Sequence, residues 1–471
     1  MVFIGREREL DALERMWERN SFQMMVVLGR RRVGKTALLD EFAKGRRTLY
    51  FTARQQTTAN NLRDFTRTLM RFLSMPEGMP AFPDWGSAID FLVREAGRIG
   101  ERFLFVFDEF PYAAMADSSL PSVLQIAIDH GLKDTDAMMV LCGSNEGFME
   151  SEVLGYKSPL YGRRTGQIRL KPFDAFDTRR MLGGVPAEDA VAYYAAFGGT
   201  PYYLRQVRPE RGFERNVEDL MLDASGLLYE EPMMLLRQEL RDPATYSSVL
   251  DAVGAGRTRQ SEIADHAGVS PATAVSKYLG VLADLGLVER LVPFGEDPRR
   301  SRKGLWKIRD PFFAFWHRFV SPNVPAIENG DGAAAARGVF GPALDTYVGQ
   351  RFEDVCMQWV MRTNGTDHLP LLATRFGKWW GNDPRKREQT DIDLVAADPA
   401  SGDILLGECK WRNRLDETEA VEALLAREGL VKGYKRAWFM LFTKQPVSDA
   451  TRAKYQGRVM FLDVRDLYGA R

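Results

Sequence analysis

The stretch QMMVVLGRRRVGKTALLDEF, residues 23 to 42, constrains this chain more than any other. It reads as an apolar strand, a loop framed by glycines and an amphipathic helix, and Gly29, Gly34, Lys35 and Thr36 fill the pattern Gly-x-x-x-x-Gly-Lys-Thr. Glycines let such a loop wrap with its backbone N–H groups pointing inward, and the helix N-terminus adds positive potential. Lys35 then reaches the outer phosphates of a nucleotide and Thr36 supplies a magnesium ligand, while Arg32, Val33 and Ala37 complete the nucleotide-binding positions. The alternative is a chance glycine-lysine turn, which the strand-loop-helix context disfavours.

Two later strands carry polar ends. RFLFVFDEF, 102 to 110, places Asp108 and Glu109 after an apolar run. Asp108 is expected to hold magnesium through water, and Glu109 to orient or deprotonate the attacking water. Alone, such an acidic pair reads as a turn or a helix cap; downstream of a phosphate loop it reads as catalytic. AMMVLCGSNEGFM, 137 to 149, ends in Ser144 and Asn145, placed either to sense a γ-phosphate from an adjacent strand or to form a plain turn.

A length of 471 residues implies several units, about three by a soft prior. Sixty-four basic residues balance 64 acidic ones, so any nucleic-acid contact must come from local patches and not from a global field. Cys142, Cys356 and Cys409 are too few and too scattered for a disulfide framework or a cysteine zinc site, which fits a reducing cytoplasm. No run approaches the ~18 apolar residues of a membrane span, and the first ten residues lack the layout of a signal peptide. A soluble cytoplasmic protein with no membrane partner is expected.

FIGREREL at the start, SPLYGRRTGQIRL at 158 to 170 and FGGTPYYL at 197 to 204, together with the phosphate loop, resemble the archaeal-type ATPase family of the AAA+ superfamily, grouped with the signal-transduction ATPases called STAND. The resemblance covers about the first 240 residues. It implies a three-layer α/β core at 1 to 173, with Gly5, Arg6 and Glu7 near the adenine and Arg163 or Arg164 touching phosphate, and a helical lid containing the Gly-Gly-Thr-Pro turn. An arginine there could serve in cis or reach a neighbouring subunit, or form a surface salt bridge. ATP and Mg2+ are the implied cofactors, and a homo-oligomer is left open.

Residues 174 to 240 show helical spacing and no strand pattern, as expected of that lid. At 241 to 320 the signals are a short helix, a turn at Gly268 and a second helix over 270 to 285, N-capped by Ser270 with Pro271 at its first position. A hairpin follows whose tip carries Arg299, Arg300, Arg302 and Lys303. This is the layout of a winged helix-turn-helix. It reads either as a DNA contact, with the 270 to 285 helix in a major groove and the wing's basic residues on phosphates, or as a protein-protein or intramolecular joint, and the second helix offers little for base-specific readout.

Proline, glycine and alanine at 321 to 338 predict a linker ahead of a last domain at 339 to 471. There Leu344, Tyr347, Val348, Phe352, Val355 and Trp359 predict a helix of about 343 to 361, with Glu353 beside its apolar face. Strands are expected at about 371 to 380, 391 to 397, 404 to 411 and 438 to 442, with a helix near 416 to 428. If Pro399 to Gly402 form the turn, antiparallel counting sets Asp393 opposite Glu408 and Asp391 opposite Lys410, all on one face. Opposed carboxylates repel unless a cation lies between them. A divalent ion, Mg2+ or Mn2+, on Asp393 and Glu408 with Lys410 supporting attack answers that repulsion. So would ion pairing of Asp391 with Lys410 and Asp393 with Arg412.

An acidic residue on one strand and Glu-x-Lys on the next resembles the PD-(D/E)XK nuclease superfamily, most nearly the C-terminal domain of unknown function that often follows archaeal-type ATPases. The resemblance gives Asp393, Glu408 and Lys410 the metal and catalytic roles, and Glu353 the acidic role of the first helix; the proline-aspartate of the superfamily's name is missing. The fold class expected is therefore multidomain α/β: a P-loop AAA+ core with helical lid, a winged helix, and a restriction-endonuclease-like domain. The function expected is an ATPase whose nucleotide state controls a Mg-dependent nuclease-like domain acting on nucleic acid, DNA before RNA. The alternative is a nucleotide-dependent switch or scaffold that binds DNA or a partner protein and cuts nothing.

Overall fold

Five strands, β1 (Gln23–Leu28), β2 (Thr48–Thr52), β3 (Leu104–Asp108), β4 (Met138–Gly143) and β5 (Gly166–Arg169), form an all-parallel sheet in the order β2-β3-β4-β1-β5 in the computed structural model, which describes residues 3–76 and 78–469. Both faces of the sheet are covered, which is why β1, β3 and β4 read as unbroken apolar runs instead of alternating. Alternate residues still part to opposite sides. Met24, Val26 and Leu28 join one core with Phe105 and Phe107, while Met25 and Val27 join the other with Leu104 and Val106. The first core is aromatic, and the Phe107 ring lies 5.1 Å from Phe51, 5.7 Å from Trp85 and 5.2 Å from Phe110.

This sheet belongs to the first of two compact units, which runs to Pro172 and regains Thr200–Tyr202; the second holds Phe173–Gly199 and the chain from Tyr203 onward. The Thr-Pro part of the Gly-Gly-Thr-Pro turn thus groups with the phosphate loop.

In the second unit, helices Ala175–Met181, Ala187–Phe197, Phe213–Met221 and Glu231–Glu239 bear out the helical reading of 174 to 240. Helices Pro243–Gly254, Gln260–Ala267 and Val275–Asp284 then precede a hairpin of β6 (Val288–Leu291) and β7 (Leu305–Ile308). The helix expected from Ser270 begins instead at Val275. Pro271 is extended, with ψ 159°, so it cannot be a first helical residue, and the chain re-enters through a 3-10 turn at Ala272–Ala274.

The linker expected at 321 to 338 is a second correction. Helices Val324–Glu328 and Gly332–Val339 occupy it, and Ile327, Ala335, Ala336 and Val339 are buried. Alanine is the strongest helix former, so the run of four alanines that reads as a flexible spacer is a packed helix, with Gly330 and Gly332 at its entry.

Beyond it, helix Pro342–Thr363 buries Tyr347, Val348, Phe352, Val355 and Trp359 and packs on β9 and β10. The C-terminal sheet runs β12-β11-β10-β9-β8: β8 (Arg375–Asp383), β9 (Glu388–Asp398) and β10 (Asp403–Lys410) are antiparallel neighbours, and β10, β11 (Arg436–Thr443) and β12 (Val459–Asp463) are parallel. The long helix also meets the helical region of the same unit, because the Tyr347 hydroxyl lies within donating distance of the Ala195 and Pro311 carbonyls, 3.0 Å from each. Among the described residues, no helix is long and apolar enough to cross a membrane.

Phe107→Ala should cost the first unit about 3–5 kcal/mol. Hydrogen exchange of the β3 amides should then speed up by roughly two orders of magnitude or more, and unchanged protection would show that the aromatic cluster does not hold the sheet.

Candidate functional site

Parallel strands end on the same side, so the turns after β1, β3 and β4 meet at one edge of the first sheet. Gly29 leaves β1 at φ +153°, and a Cβ there would sit 2.5 Å from the Leu170 carbonyl oxygen, so no other residue fits. Gly34 (φ +95°) opens helix Lys35–Ala43. Arg32 is also left-handed, at φ 69°, and its guanidinium lies 4.5 Å from the Tyr202 ring centre. Val33 is buried in the core under the loop, and its carbonyl accepts from the Arg6 guanidinium at 2.9 Å. Arg6 donates again to the Lys171 carbonyl at 2.7 Å, so the start of the chain braces the loop from beneath. Arg30 reaches Thr200 at 3.1 Å, so the Gly-Gly-Thr-Pro turn braces it as well.

Lys35 is buried, its ammonium donating to the Gly29 carbonyl at 2.7 Å and the Arg30 carbonyl at 3.1 Å. Thr36 donates from its hydroxyl to the Asp108 carboxylate at 3.2 Å, and the Tyr50 hydroxyl reaches the same oxygen at 3.4 Å. Burial first, and then Asp108, raise the pKa of Asp40 and push that of the Tyr50 hydroxyl far above its ordinary value. Negative charge is therefore crowded around a threonine hydroxyl, and this donor set fits Mg2+. Thr36 and Asp108 would hold the ion, which when bound neutralises phosphate charge and orients the nucleotide.

Glu109 sits in the left-handed region (φ 50°) and its carboxylate accepts from the Ser144 hydroxyl at 2.8 Å and the Ser144 N–H at 3.3 Å. The strand end after β4 thus holds the residue expected to work on water. The Asn145 side chain accepts from the Phe148 N–H at 2.9 Å and caps a helical turn, which fits the plain-turn alternative. Arg163 pairs with Asp129 at 2.6 Å, which fits the salt-bridge alternative, whereas Arg164 is exposed. Ala37 lies in the first turn of the loop's helix. Tyr50 carried no motif; Arg6 and Tyr202 lie in the segments FIGREREL and FGGTPYYL, but only the fold shows them at the loop.

The second cluster lies on the C-terminal sheet. Asp398 pairs with Asp403 and the ladder runs to Leu394 opposite Gly407, ending one residue short of Asp393 and Glu408. Their side chains nevertheless belong to different networks. Asp393 accepts the Cys409 N–H at 2.9 Å. Burial raises the pKa values of Asp393 and Glu353 despite Lys378, which forms an ion pair with Glu353 and acts on both acids. Glu408 is buried and receives two cations, Lys410 at 2.5 Å and Arg427 in direct contact. Asp391 is exposed, paired along the sheet with Trp380. Neither expected cation arrangement is seen: Lys410 pairs with Glu408 and not with Asp391, and among the described residues no three acidic, histidine or cysteine side chains converge to hold a metal. The donor set as arranged does not fit the expected divalent ion, since Arg427 and Lys410 already neutralise Glu408.

The first unit's fold and phosphate loop define an ATP-binding, ATP-hydrolysing domain of the P-loop class. A family described as an ATPase domain predominantly from Archaea matches residues 3–207, and one described as archaea bacterial proteins of unknown function matches residues 316–422. An uncharacterized protein of Methanocaldococcus jannaschii is 30% identical over 420 residues, covering 88% of this chain and 89% of its own length. An uncharacterized ATP-binding protein of the same organism is 40% identical over 47 residues, which is 10% of this chain and 80% of that protein. Among solved structures, a Walker-type ATPase of Pyrococcus abyssi is similar at TM-score 0.49 and 23% identity, over 67% of this chain and 96% of that one. The chain belongs to the archaeal ATPase family in which that ATPase domain is joined to a C-terminal domain of unknown function.

Lys35→Ala should abolish ATP turnover and weaken ATP binding. Glu109→Gln should keep ATP binding while lowering the hydrolysis rate by roughly 10²-fold or more. A coupled phosphate-release assay beside nucleotide titration checks both, and turnover unchanged in either variant would remove that residue from the mechanism.

Proposed function

We propose that this protein is an ATP-driven switch in which nucleotide bound and hydrolysed at Lys35, Thr36, Asp108 and Glu109 controls how the second unit engages nucleic acid, DNA before RNA. The observation that carries the reading is the meeting of Thr36 with Asp108 at 3.2 Å beside a buried Lys35, with Glu109 held by Ser144 on the neighbouring strand end. The core at 1 to 173, the lid at 174 to 240, the winged helix at 241 to 320 and the nuclease-like domain at 339 to 471 are the parts of the proposed machine. Arg163 or Arg164 as a phosphate contact and Mg2+ at Thr36 and Asp108 complete the proposed ATP site. Arg163 would have to leave Asp129 to take that role.

Two helices followed by a β6-β7 hairpin support the winged-helix reading. On the tip, Lys303 pairs with Glu296 at 2.7 Å and Arg300 approaches Asp297 at 3.8 Å, whereas Arg299 and Arg302 are exposed. A mixed sheet behind a long helix, with Glu353, Asp393, Glu408 and Lys410 on neighbouring elements, supports the nuclease-like reading of the last domain. Fold does not fix activity, however. The contact of Arg427 and Lys410 with Glu408 favours binding without cutting. Cleavage is the second reading, favoured by Asp393 and Glu408 lying just beyond the last pair, Leu394 with Gly407, of the β9-β10 ladder.

One experiment separates them. Linear, circular and single-stranded DNA and RNA are incubated with the full chain and Mg2+ or Mn2+, with and without ATP, and resolved both for mobility shift and for cleavage. ATP-sensitive binding lost in Lys35→Ala, with no cut product, is the expected outcome. Metal-dependent cutting that disappears in Lys410→Ala would establish the second reading, and no binding in any nucleotide state would sink the proposal. Changing Arg299, Arg300, Arg302 and Lys303 to alanine should weaken the shift; a shift of full strength would take the wing out of the interface.

A further inference from the structure

We propose that a pocket at the C-terminal ends of β10 and β11 binds a phosphate group, supplied either by a free nucleotide or by a nucleic-acid strand. β10 and β11 are parallel, with Lys410 beside Thr443 in register, and the two chain segments leaving them enclose a cavity of about 280 Å³. Ligands of open α/β sheets gather outside the carboxyl ends of such strands. The polar lining is Arg412, Asn413, Arg414, Glu417, Thr443 and Gln445.

Four observations give this pocket its chemistry. Arg412 and Arg414 are exposed and form no ion pair among the described residues, so two guanidinium forks face the cavity without a carboxylate to hold them. Thr443 is only 2% exposed, and its hydroxyl oxygen is buried with no hydrogen-bond partner. A buried hydroxyl left unpaired is costly, and native structures seldom keep one without a partner arriving from elsewhere. Glu417, the acid of the lining, is already occupied, accepting the Ser448 N–H at 2.9 Å and the Ser448 hydroxyl at 2.6 Å. Gln445 is oriented by donating to Glu188 at 2.8 Å, and Lys444 next to it approaches the same carboxylate at 3.5 Å.

The balance is positive, with planar donors from arginine and one spare hydroxyl donor, and phosphate oxygens match that set in charge, geometry and number of lone pairs. The cavity's position beside Lys410 makes it an extension of the Glu408 and Lys410 face, and it lies outside every residue assigned above to nucleotide or metal. Only the choice of a strand as one source of phosphate rests on the proposed function; the pocket's preference for phosphate does not.

The test uses the full chain with the ATP site filled by a non-hydrolysable ATP analogue. A fluorescent, 5′-phosphorylated single-stranded oligonucleotide is titrated at several salt concentrations, and a nucleoside monophosphate is titrated by calorimetry. Arg412→Ala with Arg414→Ala should weaken the ligand that binds by roughly tenfold or more and flatten the salt dependence of strand binding by about one to two phosphate contacts. Thr443→Val should weaken binding too while leaving the melting temperature unchanged or raised, which loss of a structural hydroxyl bond would not do. Strand and monophosphate binding both equal to wild type in the double arginine variant would overturn the pocket and leave the proposed function standing. Monophosphate binding that depends on the arginines, without any strand binding, would keep the pocket, assign it to free nucleotide, and count against the proposed function.

Discussion

Parallel pairing of β1 between β4 and β5, with β3 beyond β4, is the constraint on which the ATP site depends. Leu28 pairs with Gly143 and Phe107 with Leu141, so the residues that follow these strands emerge at a single edge. Gly29, Asp108 and Ser144 meet there because of the hydrogen-bond ladder, although more than a hundred residues separate the first from the last in the chain. The two hydrophobic cores that sandwich the sheet hold the ladder in register. Arg6, Thr200 and Tyr202 then fix the loop itself through carbonyl, hydroxyl and ring contacts.

Buried charge is handled differently in the two units. Around Asp108 the structure supplies hydroxyls from Thr36 and Tyr50 and keeps Asp40 near, an excess of negative charge that suits a divalent ion. At the C-terminal sheet two buried carboxylates are met by fixed cations, Lys378 at Glu353 of the long helix and both Lys410 and Arg427 at Glu408. A buried carboxylate is tolerated only when paired or metal-bound, and a side-chain guanidinium satisfies that requirement without any ion.

Much of the architecture was legible in the residues. The phosphate loop, the two polar strand ends, the hairpin register about Asp398 and Asp403 and the long helix with Phe352 and Trp359 inward all carry local patterns: glycine spacing, period-two strands and a 3.6-residue stripe. Other features were not legible. The alanine-rich stretch at 321 to 338 has a linker's composition, yet its small side chains are what allow Ala335 and Ala336 to be buried. Arg427 comes from the turn after helix Glu417–Leu425, which follows β10, and nothing in its local sequence marks it as the partner of Glu408.

What the sequence determined by itself was the list of chemical capacities: a loop that can wrap phosphate, acids at strand ends, opposed carboxylates beside a lysine, and basic tips and turns. Those follow from residue type and from spacing within a single element. Only the tertiary structure decided which capacities combine. It joined Thr36 to Asp108 and Glu109 to Ser144, turned Asn145 into a cap, tied Arg163 to Asp129, and gave Glu408 to Arg427 instead of to Asp393's network. The reason is physical: local propensity sets the direction of a side chain within its own element, whereas its electrostatic partner is whatever the packing of distant elements brings within a few ångströms.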